Sequence, residues 1–175
     1  MAKLPKPSFR ALVDVYRTDA TSVHDCPRFY QKGAGDVSIG GRHLSTCAIR
    51  FTEALVLALE LVKSRAEIAA LTSRGGDGRQ FLLGPYGYKA MLCPHGIGRG
   101  ASDVANFLIE QWGLPTHTFL EPKKMPSKLV DQTGAIAFIK IPIYGGQGHM
   151  DLWDKTECRG QAFFGAKKVL FWKLD

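Results

Sequence analysis

Two short stretches of this 175-residue chain carry groups that can do chemistry together. Thr46-Cys47-Ala48-Ile49-Arg50 sets a cysteine at the start of an apolar helical pattern. Gly148-His149-Met150-Asp151-Leu152-Trp153 sets a histidine, much later in the chain, at the start of a strand-like run. A thiol at a helix N-terminus and an imidazole on a distant strand suit a cysteine nucleophile and its general base. The thiol needs that setting, because free cysteine titrates near ~8.5 and only the thiolate attacks. The unpaired amides and positive dipole end of a helix start stabilise the anion, and a neighbouring imidazolium adds to it. Without that chemistry, the same residues read as a buried thiol and a structural histidine at a strand end.

The elements that must position these groups follow from local pattern. Ser8 can cap a first helix, on which Phe9, Leu12, Val13 and Tyr16 share a face. Residues 18–43 are glycine-rich and polar and read as one long loop before the second helix. That helix is capped by Ser45 or Thr46 and runs from Cys47 to Glu60. Its second half is apolar nearly all round, which predicts a central, buried element and so a rigid platform for Cys47. Residues 73–100 again read as loop. Gly96-Ile97-Gly98-Arg99-Gly100 has a phosphate-loop look but lacks the Lys-Ser/Thr of a Walker motif. A third helix is predicted over 102–112, with Gly113 as its stop. The last third is strand-like: 135–141, 149–153 and 168–174, with Tyr144-Gly145-Gly146-Gln147-Gly148 turning the first back antiparallel to the second. Helices first and an antiparallel sheet last is an α+β order. It fits a papain-like arrangement, with the nucleophile at a helix N-terminus packed on the sheet that carries the histidine.

Bulk properties bound the rest. The length fits a single domain spanning 1–175, and 45% hydrophobic with 22% charged residues is ordinary globular composition. No run approaches the roughly 18 apolar residues of a membrane span. Met1-Ala2-Lys3-Leu4-Pro5-Lys6-Pro7 has no apolar stretch and does not read as a secretory signal peptide. The net charge of +7 points to an anionic partner, such as an anionic cell-wall polymer. Basic residues are scattered apart from Lys123-Lys124 and Lys167-Lys168, with no stripe interleaved with aromatics, so nucleic acid is not the expected partner. Cys26, Cys47, Cys93 and Cys158 are far apart and no histidines cluster, so neither a metal nor another cofactor is expected. With Cys47 set aside, the other three leave two readings open. Either one disulfide forms, with Cys26 and Cys93 the pair that both precede proline, or all three are idle thiols.

These pieces, in this order, resemble the type VI secretion amidase effectors, specifically their fourth family of papain-like, NlpC-type enzymes that cut bacterial peptidoglycan peptides. The likeness runs through Pro7-Ser8-Phe9, Gly40-Gly41 and Cys47-Ala48-Ile49-Arg50. It continues through the helix ending at Gly113, the apolar strand from Gly134, Gly148-His149-x-x-Leu152-Trp153 and Phe171-Trp172-Lys173-Leu174. The resemblance implies that Cys47 is the nucleophile, His149 the base and the Cys47 N–H the oxyanion donor. The implied bond joins D-glutamate to the diamino acid (diaminopimelate) of the stem peptide. It also implies synthesis in a producer's cytoplasm, export by the type VI secretion apparatus, action in a rival's periplasm and a cognate immunity protein as inhibitor. The alternatives on the same fold are another thiol hydrolase or acyltransferase acting on protein or lipid, and a non-catalytic wall-binding module.

The chain departs from the family pattern at the third catalytic position. Family members resemble one another in an aspartate after the histidine strand, beside a cysteine pair. Here that position is Gly160, Cys158 matches one cysteine, and the second is missing. The replacements to weigh are Asp151, Asp154, Glu157 and Gln161. Asp151 is chosen because it shares a strand face with His149, although two strand residues span roughly 6.7 Å, long for a direct hydrogen bond. Arg50, one turn beyond Cys47, either favours the thiolate, binds a substrate carboxylate or pairs with Glu53.

Overall fold

A computed structural model describes residues 2–18, 36–39, 42–71, 78–88, 90, 92–93 and 95–175. Helix α1 (Phe9–Val15) starts where the Ser8 hydroxyl accepts from the Ala11 N–H at 3.1 Å. Strands β1 (Asp36–Ile39) and β2 (Arg42–Ser45) form an antiparallel hairpin just before helix α2 (Cys47–Ala58). Then come α3 (Arg65–Ala70) and α4 (Ala101–Trp112), the latter stopped at Gly113 with φ 85°. Strands β3 (His117–Leu120), β4 (Gln132–Ile139), β5 (His149–Lys155), β6 (Glu157–Cys158) and β7 (Lys168–Lys173) complete the order. The last five form one antiparallel sheet, ordered β3-β7-β4-β5-β6. The α+β expectation therefore holds, with helices against a five-stranded antiparallel sheet.

The inner strands are covered on both faces. Ala135, Ala137, Met150, Leu152, Leu170 and Trp172 pack with the helices around Phe51, Leu55 and Leu108. Ile136, Phe138, Trp153, Val169 and Phe171 pack beneath Leu129, Ile141 and Phe163. Double coverage explains why β4 reads as a continuous apolar run rather than an alternation. The two largest buried rings are also satisfied, since Trp153 Nε1 donates to the Leu129 carbonyl and Trp172 Nε1 to that of Gly113.

Several sequence expectations need correction. The 18–43 loop contains most of the β1–β2 hairpin, and α3 and the short turns at 78–80 and 84–86 occupy ground read as loop or left unread. Strands β3 and β6 were not expected. All these elements are short, and tertiary pairing rather than local periodicity holds them. Helix α2 ends at Ala58 rather than Glu60. Its burial is deepest from Cys47 to Val56, while Leu57 to Leu59 are half-buried. Within the apolar second half Ala54 to Val56 are buried as expected and only the end from Leu57 emerges, while the first turns, with Cys47, are buried too. Among the described residues no helix is long and apolar enough to cross a membrane.

Leu55, fully buried on α2, should lose about 2–5 kcal/mol of stability on replacement by alanine. Leu114→Ala, at a position 83% exposed, should stay within about 0.5 kcal/mol. Urea unfolding of the two variants checks both values.

Candidate active site

Cys47 is the first residue of α2, and only 1% of it is exposed. Thr46 precedes it at the cap position, but its hydroxyl makes no cap bond and is buried with no partner among the described residues. Of the two expected caps, Thr46 therefore does not act as one, and the Ser45 side chain lies outside the described residues. His149 opens β5 and is 9% exposed. The edge of Phe163 and the ring of Phe138 flank its imidazole, with centroids 4.9 and 6.1 Å away. The Cys47 thiol and the His149 ring are hydrogen-bonded.

The other side of the imidazole meets Asp151, with His149 Nε2 3.3 Å from Asp151 Oδ2. This corrects the spacing expectation. Two strand residues lie far apart at Cα, but both side chains leave the same face of β5, opposite Phe138 and Ile136, and lean together at their tips. Asp151 is wholly buried. Its Oδ1 accepts from the Tyr16 hydroxyl at 2.9 Å and the Leu152 N–H at 2.8 Å. Its Oδ2 accepts from the N–H groups of Gly160 and Gln161, both at 2.9 Å.

Of the four acids and amides weighed from sequence, only Asp151 meets the histidine. Asp154 faces Arg159 at 3.7 Å, and Glu157 lies on β6. Gln161 contributes its backbone N–H to Asp151, not its amide. Gly160 has no carboxylate, yet it belongs to the site. A Cβ there would lie 2.8 Å from Asp151 Oδ2, closer than a real Cβ approaches, so only glycine brings that N–H to the oxygen unhindered.

Arg50 is not paired with Glu53. Glu53 is buried and pairs with Arg65, which also donates to the Val15 carbonyl. Arg50 donates to the Thr18 carbonyl at 2.6 Å, and its buried Nε has no partner among the described residues. Cys158 is a free thiol, Cys93 Sγ lies 3.8 Å from His95 Nδ1, and Cys26 lies outside the described residues. Burial pushes the Cys158 thiol up, helped by the charges of Asp151 and Glu157. Gly40-Gly41 also falls outside the described residues. No group of three or more His, Cys, Asp or Glu able to hold a metal occurs among the described residues.

The electrostatics of the histidine follow from its partners. Burial by itself pulls the imidazole down. The hydrogen bonds to Asp151 and Cys47, reinforced by the negative charge those partners carry, more than offset this and hold His149 at about 9. An imidazolium at neutral pH beside a helix-terminal thiol favours the thiolate. Tyr16 and Gly160 were not expected at the site. Tyr16 was read only as a face of the first helix, and Gly160 only as a missing acid.

A cysteine and a histidine joined by a hydrogen bond, backed by a buried carboxylate on an α+β frame, define a thiol–imidazole site. Solved structures share the frame. The type VI effector Tae4 from Enterobacter cloacae superposes with a TM-score of 0.61 at 16% identity, over 99% of this chain and 100% of that one. A chain of the Tae4–Tai4 effector–immunity complex from Salmonella Typhimurium also gives 0.61 at 16%, over 98% and 100%. The corresponding complex from Enterobacter cloacae gives 0.59 at 15%, over 98% and 100%. At such identities the likeness establishes the fold. No protein-family model and no curated protein matches the sequence.

The His149 ring should titrate with a midpoint near 9 in an NMR pH series. Asp151→Asn should lower that midpoint, because a neutral amide no longer stabilises the imidazolium. Gly160→Ala should lower it as well, by pushing the carboxylate away. The folded value lies above the unfolded one of about 6.5. Protonated His149 therefore favours the fold fully below about 6.5, and this contribution fades as pH rises through the folded midpoint near 9.

Proposed function

We propose that this chain is a papain-like, NlpC-type cysteine amidase of the fourth type VI amidase-effector family, its single domain hydrolysing the stem peptides of bacterial peptidoglycan. The observation that carries this reading is the hydrogen-bonded run Cys47–His149–Asp151, with the thiol at the first residue of a buried helix. The shared fold with type VI effectors over nearly the whole chain supports the effector role. The net charge of +7 suits an anionic wall polymer.

In this mechanism the Cys47 thiolate attacks the amide carbonyl between D-glutamate and diaminopimelate. The carbonyl oxygen becomes an oxyanion held by the Cys47 N–H, at a helix end whose amides lack intrahelical acceptors. The His149 imidazolium then gives its proton to the departing amine, and a thioester remains on Cys47. Neutral His149 next takes a proton from water, whose hydroxide attacks the thioester. The intermediate expels the Cys47 thiolate, the new carboxylic acid gives its proton to solvent and leaves as carboxylate, and the proton on His149 restores the thiolate–imidazolium pair. Asp151 keeps the ring oriented and stabilises its charged form. No cofactor enters the sequence of steps.

The effector role places the working enzyme in a target cell's periplasm after export from a producer's cytoplasm. A cognate immunity protein would protect the producer, as Tai4 accompanies Tae4 in the solved complexes. Arg50, one turn from Cys47, is the cation nearest the nucleophile on α2 and is proposed to reinforce the thiolate.

Digestion of purified Gram-negative sacculi, read by mass spectrometry, tests the assignment. Wild type should release stem peptides cut between D-glutamate and diaminopimelate. Cys47→Ala should release none while keeping its circular dichroism spectrum and unfolding midpoint. Cleavage by folded Cys47→Ala would overturn the nucleophile. Intact sacculi with folded wild type would overturn the substrate.

A further inference from the structure

We propose that Tyr16 is a positioning residue of this site: its hydroxyl, delivered from the end of α1, anchors Oδ1 of the Asp151 carboxylate and takes up part of the negative charge that Oδ2 offers the His149 imidazole. The proposal deepens the thiol–imidazole reading and rests on it. Four donors besides the histidine reach Asp151, and three are backbone N–H groups of Leu152, Gly160 and Gln161. The fourth, the Tyr16 hydroxyl at 2.9 Å, comes from a residue 135 positions away. It shares Oδ1 with the Leu152 N–H, while Oδ2 faces the imidazole and the N–H groups of Gly160 and Gln161.

The hydroxyl is itself held in place. Tyr16 closes α1, with its N–H donating to the Val13 carbonyl. The neighbouring Val15 carbonyl accepts from Arg65, which pairs with buried Glu53 on α2. The end of α1 is thereby fastened to the helix that carries Cys47. Among the described residues, the charged and titratable groups facing this hydroxyl are Asp151 on β5 and Cys47 and Arg50 on α2. Around Asp151 itself stand His149 and, from β6, Cys158. Burial and the Asp151 charge hold the phenol well above its usual range, with Arg50 pulling the other way. Tyr16 therefore remains a neutral donor throughout the range in which the site works.

A neutral donor on a buried carboxylate has two effects. It fixes the oxygen positions, and it takes up part of the negative charge that the imidazolium would otherwise draw on. Tyr16→Phe should accordingly slow turnover on sacculus peptides on the order of tenfold to a hundredfold, with KM within about twofold. The same change should raise the His149 midpoint in NMR titration. A stronger donor, fluorotyrosine incorporated at position 16, should lower it. The double variant Tyr16→Phe/Asp151→Asn should be no slower than Asp151→Asn alone, because Tyr16 acts through Asp151.

A His149 midpoint that is unmoved in Tyr16→Phe would overturn the proposal. So would one that falls toward the ordinary imidazole value, since water entering around Asp151 would produce that fall. Additive loss in the double variant would overturn it as well. If Tyr16→Phe fails to fold, the fluorotyrosine protein carries the titration. The imidazole titration and the rate of Cys47 alkylation by iodoacetamide need no peptidoglycan. Loss of the substrate assignment would therefore leave this test standing, and an inert sacculus with the predicted titration shifts would separate the two.

Discussion

The rest of the site depends on one buried anion. Asp151 has no solvent contact, and an unpaired carboxylate in such a place costs several kcal/mol. The chain answers with donors from separate elements: Tyr16 from α1, Leu152 from β5 itself, and Gly160 and Gln161 from the loop after β6. His149 completes the shell. Satisfying this one group brings α1, β5 and that loop to a common point. The neutral donors stabilise the charge without titrating, which leaves the imidazole as the partner whose protonation can change.

Helix α2 holds the Cys47 thiol in register. Of its first ten residues all but Arg50 are buried, so its start cannot shift without disturbing the core. Glu53, farther along the same helix, pairs with Arg65 of α3, which reaches across to α1. The Thr46 hydroxyl does not occupy the helix start. A helix end of this kind stabilises negative charge on its first residue through amides already in position, so little reorganisation is needed when charge appears. Core packing and the placement of Cys47 at the helix start are therefore two consequences of the same burial.

The sheet supplies the third constraint. β5 is next to the edge, and β6 pairs with it only at Trp153 and Asp154. Both faces of the central strands are filled, which locks the register of β5 against β4 and sets His149 across from Phe138. This frame persists at 14–18% identity across the type VI effector structures. Such persistence is expected where packing patterns rather than particular residues specify an architecture. Gly160 lacks a side chain and still serves the site through its backbone N–H.

What the sequence by itself determined was local. Ser8, the apolar run after Cys47, Gly113 and the strands around Phe138 and Phe171 act through neighbours within a few residues, and period and capping reveal such neighbours. Those signals put Cys47 on a helix start and His149 on a strand start, and the structure agrees. Tertiary structure alone decided how the two meet and what stands behind them. Strand spacing set Asp151 too far from His149 for a direct bond, yet the folded side chains close to 3.3 Å. Tyr16 carried no signal beyond a helix face, and the β1–β2 hairpin, α3, β3 and β6 are too short for periodicity to mark. A buried charge selects its donors by where they lie in space, and positions 135 residues apart become neighbours only when the chain is folded.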